Sequence, residues 1–124
     1  MNPFTRFLLG KGRKEDQALQ DFVERWDALE GLVVRVFRGK GAETADEAQY
    51  QQIRSWLRDN YPRWQERWQP YWQEALVAGL PAAQDPFQRL LTAEKAADFV
   101  GDWQAMQYLP AAREAINRYI QAVD

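Results

Sequence analysis

Residues 14–38 read KEDQALQDFVERWDALEGLVVRVFR, and this stretch decides the fold class. Leu19, Phe22, Trp26, Leu29, Val33 and Val36 recur at spacings of 3, 4, 3, 4 and 3. At 3.6 residues per turn, that pattern lines six large apolar groups along one side of a helix. The other sides begin acidic (Glu15, Asp16, Asp21, Glu24) and end basic (Arg35, Arg38, Lys40), which complements the helix dipole at both ends. One feature competes. Residues 32–37, LVVRVF between Gly31 and Gly39, have the β-branched content of a strand. No partner strand is readable elsewhere, and an isolated strand would leave its backbone groups unpaired. The reading is therefore a helix over about Lys14 to Arg38. Leu32, Val34 and Phe37 widen its apolar surface beyond the seam.

Upstream, Asn2-Pro3 has the form of an N-cap followed by proline at the first helical position, opening a short helical arm within residues 1–12 that stops at Gly10. Downstream, Gly39 and Gly41 close the long helix. Thr44 with Glu47 reads as a capping box for a helix whose core face is Tyr50, Ile53, Leu57 and Tyr61, with Trp56 at the margin. Tyr61-Pro62 marks a boundary, because the residue before proline resists helical geometry. A helix over about Pro62 to Ala78 then turns Trp64, Trp68, Tyr71, Trp72, Ala75 and Leu76 inward, kinks at Pro70, and stops at Gly79 and Pro81.

Asp85-Pro86 opens the next segment, carrying Phe87, Leu90 and Leu91. Thr92 is read as recapping a helix with Ala96, Phe99, Val100, Trp103 and Met106 inward. Leu109-Pro110 divides that helix from a terminal one with Ala112, Ile116, Tyr119, Ile120 and Val123 on its inner face, and the sequence leaves open whether these pieces form one kinked helix or two or three helices. Short connections favour antiparallel neighbours. The expectation is an all-α single domain over 1–124: a compact bundle of four to five mostly antiparallel helices with a short N-terminal helical arm.

Composition narrows the chemistry. With 124 residues the chain suits one domain with its own core, and 46% hydrophobic residues argue against global disorder. A net charge of -2 lacks the basic excess of a nucleic-acid coat, so no nucleic-acid partner is expected. The chain has no cysteine, which removes disulfides, thiolate metal sites and cysteine nucleophiles. It has no histidine, which removes the usual general base near neutral pH and every Ser-His triad. Enzymatic activity is thereby disfavoured, with no catalytic residue and no cofactor assigned. No run approaches the roughly 20 apolar residues of a membrane span, and the N-terminus does not read as a signal peptide. A cytoplasmic location is expected.

Three constellations remain. In the first, Trp56, Trp64, Trp68 and Trp72 are interleaved with Arg54, Arg58, Arg63 and Arg67. Indole faces and guanidinium forks together suit an anionic or ring-bearing small molecule. Tryptophans four residues apart are also what a helix core looks like, with arginines reaching out from its edge. Because Trp56 leaves the stripe, a ligand site would take Arg54, Trp56 and Arg58 at its rim, with Arg63 and Arg67 nearby.

The second constellation is acidic: Asp21, Glu24, Asp27 and Glu30, with Asp98 and Asp102. Oxygen ligands at helical spacing can hold Mg²⁺, but a three-residue step drifts around the helix, so a solvated face is the plainer reading and no metal site is assigned. The third is the N-terminal segment, where Phe4, Phe7, Leu8 and Leu9 alternate with basic residues, a pattern that docks on a partner or weakly on an anionic membrane.

The functional expectation is a non-catalytic helical protein-interaction or regulatory module that binds a protein partner, with a homodimer through the long helix left open. A small-ligand-binding bundle using residues 54–72 is the alternative, and a metal-dependent phosphohydrolase comes third.

Overall fold

The computed structural model describes residues 13–39, 41–75 and 84–123. The expected N-terminal arm, and the stop at Gly79 and Pro81, lie outside these residues. Five α-helices and two 3₁₀ turns, with no strand, are formed among them. Helix α1 spans Arg13–Gly39, α2 Thr44–Asn60, α3 Gln65–Ala75, α4 Pro86–Leu91 and α5 Trp103–Val123. The 3₁₀ turns are Tyr61–Arg63 and Ala96–Phe99. The all-α bundle read from the sequence is what the chain forms.

All six seam residues of α1 are buried. Residues 32–37 continue the same helix. Its widened face divides: Leu32 is buried, at 3% exposure, whereas Val34 and Phe37 are only half-buried. The core they join is aromatic. Phe22 meets Trp68 edge-on with ring centroids 5.0 Å apart, and Phe87 lies 4.8 Å from Trp26 and 4.9 Å from Tyr61. Each such pair adds about 0.5–1.5 kcal/mol beyond the area buried. Helix α3 packs chiefly on α5, α2 on α1, and α4 on α5.

Four boundaries differ from the sequence reading. The box at Thr44 and Glu47 moves one residue: Glu43 is the N-cap in extended geometry, and its N–H donates to Asp46 Oδ2 at 3.0 Å. Asp46 holds this place because it also pairs with Arg35 of α1. Thr92 closes α4 rather than opening a helix, since its hydroxyl donates back to the Gln88 carbonyl at 2.7 Å. Residues 96–99 form the second 3₁₀ turn, after which Gly101, at φ +74°, redirects the chain in a conformation that favours glycine.

Asp102 then accepts the Ala105 N–H at 2.9 Å, and α5 starts at Trp103. Val100 (39% exposed) and Trp103 (70% exposed) therefore face outward, not inward as their spacing suggested. Lastly, Pro110 does not divide the final segment. It sits exposed inside a continuous α5, flanked by buried Leu109, Ala111 and Ala112. Interior proline costs a helix about 3 kcal/mol, and packing on both sides of the ring offsets that cost here. Pro70 is likewise exposed inside α3, between buried Trp68 and Trp72.

Candidate functional site

The tryptophan–arginine region does not converge on one site. Trp64, Trp68 and Trp72 are core residues. Arg63 and Arg67 each lie 5.4 Å from the Trp64 ring, and Arg67 pairs with Glu15. Trp56 is half-buried beneath the Arg25 guanidinium, 4.1 Å from its ring centroid. It lines a groove of about 370 Å³ with Gln17, Asp21, Asn60 and Arg63. Arg54 and Arg58 line a different groove, of about 530 Å³, with Tyr61, Gln88, Leu91 and Glu94. The fold thus brings together Arg54 with Arg58, and Trp56 with Arg63, while Arg67 lines neither groove.

One face of α2 explains why Arg54 points where it does. The Tyr50 hydroxyl donates to the Ala93 carbonyl at 2.7 Å, the Gln51 amide to that of Glu94, and Arg54 Nε to that of Leu91 at 2.8 Å. Glu47 Oε1 accepts the Ala97 N–H at 3.2 Å. Four side chains spaced along one helix thereby hold the connection from the end of α4 into the second 3₁₀ turn, residues 91–97, by its main chain. Burial pushes the Tyr50 phenol far above its ordinary range, although the nearby Arg54 charge acts the other way.

A buried polar pair lies at the start of α4. The Asp85 carboxylate, 7% exposed, accepts the N–H groups of Phe87 (2.9 Å) and Gln88 (3.4 Å) as N-cap. It also accepts the Tyr61 hydroxyl at 2.5 Å. Desolvation raises the Asp85 pKa above the ordinary carboxylate value, against the three hydrogen bonds that favour its charge. The Tyr61 phenol is raised far, by burial first and by the Asp85 charge second. These contacts lock α4 against the Tyr61–Arg63 turn.

The acidic residues do not converge either. No group of three or more carboxylates positioned to hold a metal exists among the described residues. Asp27 and Glu30 both pair with Arg113, Asp98 caps the Lys95 N–H, and Asp102 pairs with Arg89. Asp16, at 3% exposure, accepts no hydrogen bond among the described residues, and its place in the first turn of α1 lets the helix dipole act on it.

A surface lies between α1 and α5 whose α1 half, Val34 and Phe37, is legible in the sequence and whose α5 half is not. Trp103 meets the Phe37 ring edge-on, with centroids 4.7 Å apart. Beside them runs a shallow groove of about 360 Å³ floored by Val34, Phe37, Met106, Leu109 and Pro110, with Arg38, Arg113 and Glu30 at its edge. The available signal was Gly101-Asp102: a turn glycine followed by a capping residue puts Trp103 at the first helical position, outside the inward stripe. No family model, curated protein or solved structure matches the chain.

Proposed function

We propose that this protein is a non-catalytic interaction module whose docking face is the α1–α5 groove together with Trp103, which stands against its Phe37. The observation that carries this reading is Trp103 itself. It is a tryptophan left 70% exposed in a chain that buries Trp26, Trp64, Trp68 and Trp72. Tryptophan and arginine are the residues most enriched where binding energy concentrates, and an apolar groove with a charged edge suits a helix laid along it.

The occupant is an acidic, amphipathic helical segment of another protein. Arg38 is exposed and joins none of the ion pairs among the described residues, whereas Arg113 is already matched by Asp27 and Glu30. An unmatched cation at the groove's edge favours a partner with a carboxylate there. A second copy presenting this same groove would offer Arg38 no free carboxylate, because Glu30, the acid that lines it, is already paired with Arg113, and this disfavours a homodimer through the face. Leu32 cannot take part in such a contact in any case, because it is in the core. A cytoplasmic setting agrees with this reading but is not required by it.

The test is selection of helical peptides from a displayed library on the wild-type protein, with counter-selection on Trp103→Ala. The expected outcome is a recurring apolar face flanked by Asp or Glu, with binding lost in Trp103→Ala and Val34→Asp. Recovered peptides that bind Trp103→Ala as well as wild type would overturn the assignment. So would concentration-dependent dimerisation abolished by the same substitutions, which would make a second copy the occupant.

A further inference from the structure

The α2 face that grips segment 91–97 runs Glu47, Tyr50, Gln51, Arg54, and its next member is Arg58. The first four spend polar groups on main chain. Arg58 does not: it is exposed and joins no ion pair or hydrogen bond among the described residues. Arg54 commits its Nε to Leu91 and joins no ion pair among the described residues, so its fork is oriented while its terminal N–H groups stay available there. Two arginines four residues apart on a helix repel one another, and no carboxylate pairs with either among the described residues.

Both line the same groove of about 530 Å³, a volume within the range of small-molecule sites. Tyr61, Pro62 and Leu91 supply an apolar wall, Gln88 and Thr92 polar edges, and Glu94 one opposing carboxylate. Two cations and one anion leave a single positive charge.

We infer that this groove binds a small, singly charged carboxylate whose apolar body lies on Tyr61, Pro62 and Leu91. The carboxylate bridges the Arg54 and Arg58 forks, for which guanidinium geometry is suited. Glu94 sets the charge preference, disfavouring dianions such as a phosphate monoester. The site is separate from the Trp103 face and does not depend on that assignment.

The test is NMR observation of the arginine Nε–H resonances during titration with benzoate, with benzyl alcohol and phenyl phosphate as comparison probes. Benzoate is expected to shift Arg54 and Arg58 together, with saturation in the millimolar range. Benzyl alcohol should leave both unmoved, and phenyl phosphate should bind more weakly than benzoate. Arg58→Ala, a surface change that leaves the core intact, should weaken benzoate at least about tenfold, and Glu94→Gln should strengthen it. Arg38→Ala should change nothing. Equal benzoate affinity in Arg58→Ala, or no shift of either arginine at about 50 mM, would overturn the site. Tighter binding of phenyl phosphate would overturn the charge assignment.

Discussion

Trp103 stands edge-on to Phe37, with ring centroids 4.7 Å apart and planes at 87°, so the first residue of α5 is braced by the last turns of α1 while most of its indole stays in water. Edge-to-face contact fixes the ring's orientation at little cost in exposed area. A large apolar side chain held rigid and uncovered is suited to binding, because its rotamer is chosen before a partner arrives.

That geometry separates stability from recognition. Trp103→Ala is expected to lower the unfolding free energy by less than about 1 kcal/mol, because little area is lost from the core. Trp68→Ala should cost about 3–5 kcal/mol, since Trp68 is fully buried among Phe22, Tyr61 and Phe87. Urea denaturation of the two variants beside wild type checks the contrast, and equal losses would place Trp103 in the core.

The cap at Asp85 should reveal itself through pH. Its folded pKa is raised above the ordinary value of 3.8, so the folded state holds its proton more tightly than the unfolded state does. The associated stability is fully present below about pH 3.8 and is lost as pH rises through the raised value. Asp85→Asn keeps a capping oxygen without a charge. The stability of wild type relative to Asp85→Asn should therefore increase on acidification, as read from urea midpoints at neutral and acid pH.

Tyr61 and Tyr50 give the matching result in alkali. Both phenols are raised above 10.0 in the folded protein, chiefly by burial. Their contribution is complete below about pH 10 and disappears as pH climbs toward their raised values. Phenolate absorbance should show these two tyrosines ionising only together with loss of the folded circular dichroism signal. Ionisation of all five tyrosines in the folded state would contradict the buried placement.

Gly101 tests the turn that exposes Trp103. Nothing lies within 4 Å of where a side chain would project, so only its backbone conformation resists substitution. Gly101→Ala should cost about 1 kcal/mol and Gly101→Asn less, because asparagine tolerates positive φ. Thermal unfolding of both variants distinguishes this from a crowded site, where asparagine would be the worse of the two.

The sequence carried the α1 seam and the Asp85-Pro86 start directly, because apolar spacing and capping chemistry are local. It misplaced Val100 and Trp103 because a 3.6-residue stripe was continued across Gly101, where a positive-φ turn resets the phase of the helix. At Pro110 the sequence leaves a break and a continuous helix both open: the local cost of proline is real, but the burial of Leu109 and Ala112 that favours continuity lies outside any local rule. Of the arginines in residues 54–67, Arg54 and Arg58 line one groove, as a four-residue helical spacing allows. Spacing could not show that Trp56 belongs to another groove, since that depends on how α1 crosses α2 and sets Arg25 over the indole.

The interaction assignment is tested most directly by fluorine NMR of the protein labelled with fluorotryptophan, titrated with an acidic amphipathic peptide recovered on the wild-type protein. The six tryptophans give six probes, of which Trp103 alone is largely exposed. The Trp103 resonance should move on binding, those of Trp26, Trp64, Trp68 and Trp72 should stay in place, and Arg38→Glu should weaken the peptide. Binding that leaves Trp103 unmoved, or shifts Trp56 in its place, would contradict the interaction assignment.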